Sequence, residues 1–264
     1  MYLESVLAPL GAARCYDLSQ PYFVGMPHHP NHPPFLFSLA KQHGDYVTPG
    51  GTSSASEAIT LGGHVGTHID SLCHFSCNGV LHGGIPAAGN QSYGEGLKAH
   101  SIAEVGLIVR RGVLLDIAEL EGVDELPEDF SVTAEHLERA QEAHGVTVRA
   151  GDVVLLRTGW ARFWREPARY IRQTHGPGPE EPGAQWLSAR RIFAAGSDTI
   201  AFEKVPATNM PVHVHMLVES GIYLLEALNL EELARDKQYE FLFVGTPLKI
   251  EGGTGSPIRP FALV

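Results

Sequence analysis

Residues 62–75 read Gly-Gly-His-Val-Gly-Thr-His-Ile-Asp-Ser-Leu-Cys-His-Phe, and the reading of the whole chain turns on them. The polar ligand types fall at His64, His68, Asp70 and His74, all even positions, with Gly66 among them. On an extended segment side chains alternate between faces, so these four share one face. On a helix His64 and His68 align, but Asp70 sits well round the cylinder. Gly66, Thr67 and Ile69 favour strand or loop over helix. Three good ligands on one face, beside a bare glycine that admits a metal or a substrate, describe an open metal site. A His-rich edge strand with no metal is the plain alternative, and it suits one isolated His better than this array.

Composition narrows the function classes. The chain has 264 residues, 44% hydrophobic and 19% charged, which is ordinary for a soluble globular protein with a sizeable core. We expect one domain spanning residues 1–264. A formal charge of −11 without a basic run argues against nucleic acid or an anionic membrane as partner. No apolar stretch approaches the roughly 20 residues that span a bilayer. Met1 to Ala13 carries Glu4 and lacks a positive start, so it is a poor signal peptide, and a cytoplasmic location is expected. Three cysteines are too few for a disulfide scaffold.

Short apolar runs predict strands at Val113 to Ile117, Val153 to Arg157, Ile222 to Leu225 and Glu240 to Val244. A helix is predicted from Thr133, its cap, to His144, with Leu137 and Ala140 inward and Gly145 ending it. A second is predicted from near Val212 to just before Gly221. Pro21 to Pro34 reads as an ordered loop, Gly176 to Gly183 as a surface insertion or lid, and Glu119 to Asp129 as solvated loop. Strands and helices mix without regular alternation, so the fold class is irregular α/β, close to α+β.

His, His and Asp suit Zn²⁺, Mn²⁺ or Fe²⁺ better than the oxygen cages of Ca²⁺. Three protein ligands leave a position for water, whose pKa such an ion lowers to about 7. His74 is a further ligand or the acid–base group that relays a proton. Cys73 and Cys77 suggest a thiolate zinc site, but Cys15 is the only other thiol, so buried inert cysteines fit better. A second cluster holds His213, His215 and Glu226, the last a carboxylate inside an apolar run. An Fe²⁺ oxygenase would want an Arg soon after the distal His, and the next is Arg235. Gly50 to Ser56 lacks the Lys of a phosphate loop. Gly252 to Pro257 reads as a turn, and His28, His32 and His43 as surface or rim residues. Tyr22, Phe35 and Trp160 are candidates for an apolar wall against a ring substrate.

His64 to His74 resembles the hallmark His-x-Gly-Thr-His-x-Asp-x-Pro-x-His of the cyclase family, except that Leu72 stands in place of proline. That family includes bacterial kynurenine formamidases, isatin hydrolases and some polyketide ring cyclases. Asp17-Leu-Ser-Gln-Pro, Gly25-Met-Pro, Gly151 to Trp160 and Pro211 to Glu226 extend the resemblance over nearly the whole chain. It implies a swivelling β/β/α fold, commonly a homodimer or homotetramer. It implies His64, His68 and Asp70 as metal ligands and His74 as the catalytic His. A late His and Glu226 complete a second site in the formamidases, with Asp70 bridging. The formamidase spacing counted back from Glu226 lands on Val214, and we assign His213 because it follows Pro-Val. One or two divalent ions, Mn²⁺ or Zn²⁺, are therefore expected. The formamidase Trp after Met-Pro is replaced by His29, a candidate substrate contact. The expected activity is metal-dependent hydrolysis of a small amide, formamide or lactam, with polyketide ring closure as the alternative.

Overall fold

The computed structural model describes residues 8, 11–172 and 174–264, so the first seven residues of the stretch read for a leader lie outside it. A curled nine-stranded sheet organises the chain. Across the sheet its strands run Cys15–Asp17, Phe261–Leu263, Glu240–Gly245, Ile108–Asp116, Val153–Arg157, Ala194–Ser197, Tyr223–Glu226, His68–Asp70 and Gly255–Pro257. Ile108–Asp116 through Tyr223–Glu226 are parallel, and antiparallel strands close both ends. The parallel strands are buried on both faces, which is why they read as unbroken apolar runs rather than as alternation.

One face of the sheet packs Val113, Leu115, Val154, Leu156 and Leu224 against Leu137, Ala140, Leu187 and Met216 from the helices. The opposite face packs Leu114, Val153, Leu155 and Leu225 against Tyr16, Leu18, Phe243, Ile258 and Ala262, where the sheet curls round on itself. The result is mixed α/β, as the interleaved elements lead one to expect.

The first predicted strand runs from Ile108 to Asp116, five residues earlier than its apolar run. Arg110 and Arg111 hide that part of the signal, although they pair in register with Phe243 and Leu242. Ile117 instead opens a helical turn, capped by Asp116 accepting from the Glu119 amide. The helix after Thr133 spans Ala134–Ala143, with Thr133 and His136 exchanging capping hydrogen bonds. The later one is Pro211–His213 followed by a π-helix, Val214–Ser220.

One loop expectation needs correction. Gly178–Pro179 forms a buried parallel bridge with Ser131–Val132, and the helix Glu181–Ala189 begins beside it, so Gly176 to Gly183 is no surface lid. The acidic stretch after Glu119 is a largely exposed loop, as expected, anchored by Leu126, which is fully buried and donates its amide to the Thr158 carbonyl. Its acids flank a residue that the core takes up.

Only His68–Asp70 of the 62–75 segment is strand. Before it, Gly66 adopts φ +70°, with the Tyr22 ring 2.4 Å from where a Cβ would stand. Tyr22 donates to the carbonyls of Val65 and Thr67 at 2.7 and 3.1 Å, pinning the turn from behind. Gly66→Ala should therefore destabilise the protein by on the order of 3 kcal/mol, summing left-handed strain and overpacking. The urea unfolding midpoint checks this; an unchanged midpoint would show that Tyr22 moves aside freely.

Candidate metal centre

The centre is built on a strand register. His68–Asp70 pairs antiparallel with Tyr223–Glu226, putting Glu226 directly opposite His68 and Leu224 opposite Asp70. Paired residues and their i±2 neighbours share a face, so His68, Asp70 and Glu226 meet on one side of the sheet. Glu226 lies at the carboxyl end of its parallel strand, and the loop after Ala194–Ser197 supplies Ile200 and Ala201 nearby, the usual place for a ligand in such sheets.

His64 and His74 arrive differently. The expectation of one extended run from His64 to His74 fails, because turns lie on either side of the strand. His64 folds back so that Nδ1 lies 2.6 Å from Asp70 Oδ1, and its ring stacks on His74 with centroids 3.8 Å apart. Among the described residues, two groups of side chains can each hold a cation: His64, Asp70 and His74, and His68, Asp70 and Glu226. Asp70 belongs to both.

The hydrogen-bond inventory tests whether a cation fits. His68 Nδ1 donates to the Gly66 carbonyl at 2.8 Å, and a carbonyl only accepts. In the neutral ring Nε2 is then a bare lone pair, 3.5 Å from Asp70 Oδ1 and 3.4 Å from Glu226 Oε2. His213 repeats the pattern, with Nδ1 on Glu203 and Nε2 3.1 Å from Glu226 Oε1. Thr254 Oγ1 lies 2.9 Å from His64 Nε2, where its hydroxyl can donate or accept, so His64 can present either a proton or a lone pair to Asp70. Asp70 Oδ2 is buried without a hydrogen-bond partner. Lone pairs and carboxylate oxygens converging in a buried space repel unless positive charge stands between them. This donor set fits a divalent cation.

The ionisation pattern agrees. Burial opposes charge on Asp70, but His74, His64 and His68 outweigh it and hold the carboxyl far below the usual range. For Glu226, burial and Asp70 push up, while bonds from His213 and His68 bring it down to about 2. Burial lowers His74 to about 3 and His32 to about 4, so both rings are neutral near pH 7.

A pocket of about 300 Å³ opens onto this cluster. His29, Asn31 and His32 form one wall, and Phe75, Ile200 and Met210 form the apolar one. His29, a candidate substrate contact, lines this pocket. Tyr22, Phe35 and Trp160, the other candidates for substrate contacts, do not line this pocket. Tyr22 braces the motif, Phe35 packs edge-on against it, and Trp160 is buried with its indole donating to the Leu126 carbonyl. Their apolar runs marked core, which composition cannot distinguish from a pocket wall.

His213 is buried in the cluster, whereas His215 faces outward to Glu219 and Ser188. Sequence reasoning overlooked Glu203 and Phe75 and left Thr254 in a turn. Glu203 carried no signal, being one acid in a loop, while the Gly-rich flanks of Thr254 hinted at close backbone approach. That approach is real: a Cβ on Gly255 would lie 2.4 Å from the His64 ring.

Comparison with known proteins gives the same neighbourhood. The chain is 27% identical over 214 residues to an isatin hydrolase of Roseibium aggregatum, covering 78% of this chain and 73% of that protein. It is 26% identical over 249 residues to a kynurenine formamidase of Bacillus cereus, covering 92% and 94%. A crystal structure described as a novel cyclase superposes with a TM-score of 0.88 at 27% identity, covering 99% of this chain and 91% of that one. Residues 16–204, well over half of the chain, match the family described as "Putative cyclase". The protein belongs to the cyclase family.

Proposed function

We propose that the protein is a hydrolase that uses one or two divalent ions, Mn²⁺ or Zn²⁺, to open a compact lactam or aryl formamide. The observation that carries this reading is the convergence of Asp70, Glu226 and three inward-facing histidines at the floor of a small half-apolar pocket. Asp70 is the shared ligand in this reading. His64 and His68 flank it, and His213 and Glu226 complete the second position. When bound, the ion supplies an activated water and polarises the substrate carbonyl. Phe75, Ile200 and Met210 offer apolar surface to a ring, and His29 with Asn31 offers hydrogen bonds to its polar groups.

His74 is our candidate for proton transfer. It stacks on His64 and lines the pocket, half-buried, the position from which it would take a proton from water and return it to the departing nitrogen. None of the described residues lining the pocket is Arg or Lys. An α-carboxylate such as that of N-formylkynurenine therefore finds no Arg or Lys to pair with away from the metal position, which favours neutral ring amides.

Replacing His68 by Ala should remove tightly bound metal, read by elemental analysis of protein purified without added metal, and lower turnover by orders of magnitude. Stoichiometric metal with full turnover in that variant would reject the ligand assignment. His74→Ala should retain most of the metal while losing roughly 10²–10⁴-fold in turnover. Parallel loss of metal and activity would make His74 a ligand instead. Across isatin, simple aryl formamides and N-formylkynurenine, kcat/KM with Mn²⁺ and with Zn²⁺ should be lowest for N-formylkynurenine. Efficient turnover of that substrate overturns the charge argument, and no turnover of any of the three shifts the reading to ring closure.

A further inference from the structure

The loop that follows Ala194–Ser197 carries an acid with no place in the ligand set. Glu203 is 1% exposed, and its Oε1 accepts from both nitrogens that His213 offers it: the ring Nδ1 at 2.5 Å and the backbone N at 3.0 Å. The neighbouring Phe202 amide donates to Glu226 Oε1 at 2.7 Å. Two consecutive loop residues thus hold the two side chains that face Asp70 from the far side. The loop itself is clamped. Lys204 N donates to the Pro179 carbonyl, and a Cβ on Gly178 would lie 2.6 Å from the Glu203 carbonyl carbon, so the strand next to it leaves no slack.

The grip on His213 has a chemical consequence. An ionised carboxylate only accepts, so it fixes the proton on Nδ1 and leaves Nε2 as the lone pair. That lone pair points toward Glu226 Oε1 at 3.1 Å and Asp70 Oδ2 at 3.9 Å, the latter being the buried oxygen without a partner. We propose that Glu203 is a positioning residue: it orients the His213 ring and sets its tautomer so that Nε2 binds a divalent ion between Glu226 and Asp70. Carboxylates bonded to the far nitrogen of a ligand His also raise its basicity, and losing one typically weakens metal binding 10–100-fold. The inference rests on the metal-dependent reading of the site and adds a residue that touches neither ion nor substrate.

The test compares wild type with Glu203→Leu, which removes the acceptor at similar volume, and Glu203→Gln, whose amide oxygen still accepts. Each protein is loaded with Zn²⁺ and titrated with a competing chelator, which reads ion number and affinity without any substrate. Glu203→Leu should weaken one ion 10–100-fold, and Glu203→Gln should stay within about tenfold of wild type. Nitrogen NMR of the Zn²⁺-loaded wild type should show His213 protonated at Nδ1 and metal-shifted at Nε2. A folded Glu203→Leu protein with wild-type affinities overturns the proposal, as does metal on Nδ1 in the wild type. Equal losses in the Leu and Gln variants overturn it too, since the accepting oxygen would then not be the cause. Wild type that binds neither Zn²⁺ nor Mn²⁺ refutes the metal reading itself. The NMR of the wild type decides the matter even if Glu203→Leu fails to fold.

Discussion

Two buried carboxylates, brought side by side by the register of adjacent strands, set the terms for the rest of the molecule. The pairing of His68–Asp70 with Tyr223–Glu226 leaves Asp70 and Glu226 almost without solvent. Burying an isolated carboxylate costs several kcal/mol, and two near one another cost more. The surrounding structure answers that cost. Three imidazoles turn a nitrogen toward the acids, and each is held at its other nitrogen: His68 by the Gly66 carbonyl, His64 by Thr254 and His213 by Glu203. Protons on those rings and a bound divalent ion are alternative ways of supplying the same positive charge. An ion does so while leaving coordination positions open to a substrate.

The same demand explains glycines that would otherwise look like weak points in the chain. Gly66 turns the chain tightly enough for Tyr22 to lie against it and for its own carbonyl to meet His68. Gly255 lets the edge strand Gly255–Pro257 press on the His64 ring. These contacts leave side chains little rotational freedom, which suits a site whose ligands are ordered before an ion arrives. The aromatic residues read from the sequence as a pocket wall lie outside the pocket lining instead. Tyr22 and Phe35 brace the motif, and the apolar lining falls to Phe75 and, from one distant loop, Ile200 and Met210.

Much of this was legible in the primary structure. Fully buried parallel strands read as unbroken apolar runs because both faces need apolar side chains, so Val153–Arg157 is found at its observed limits. Thr133 marked its helix because a side-chain oxygen that caps exposed amides has a strong local signature. The ligand types at His64, His68, Asp70 and His74 were legible because few other uses bring so many imidazoles and a carboxylate into eleven residues. What misled was the assumption that the spacing came from one extended strand. Only His68 and Asp70 share a face for that reason, and turns deliver the other two.

By itself, then, the sequence determined the kind of chemistry and the elements that carry it, since residue type, apolar periodicity and capping are local properties. Tertiary structure alone decided which groups meet. His213 and His215 are indistinguishable by composition, yet the helix turns one into the cluster and the other toward Ser188. Glu203 becomes a partner of His213 only because a loop after one strand is clamped against a helix that begins eight residues later. Phe75 becomes pocket wall and Trp160 becomes core through contacts that no local pattern encodes. The reason is physical: backbone preferences act over a few residues, whereas charge compensation and packing act between whichever segments the sheet brings together.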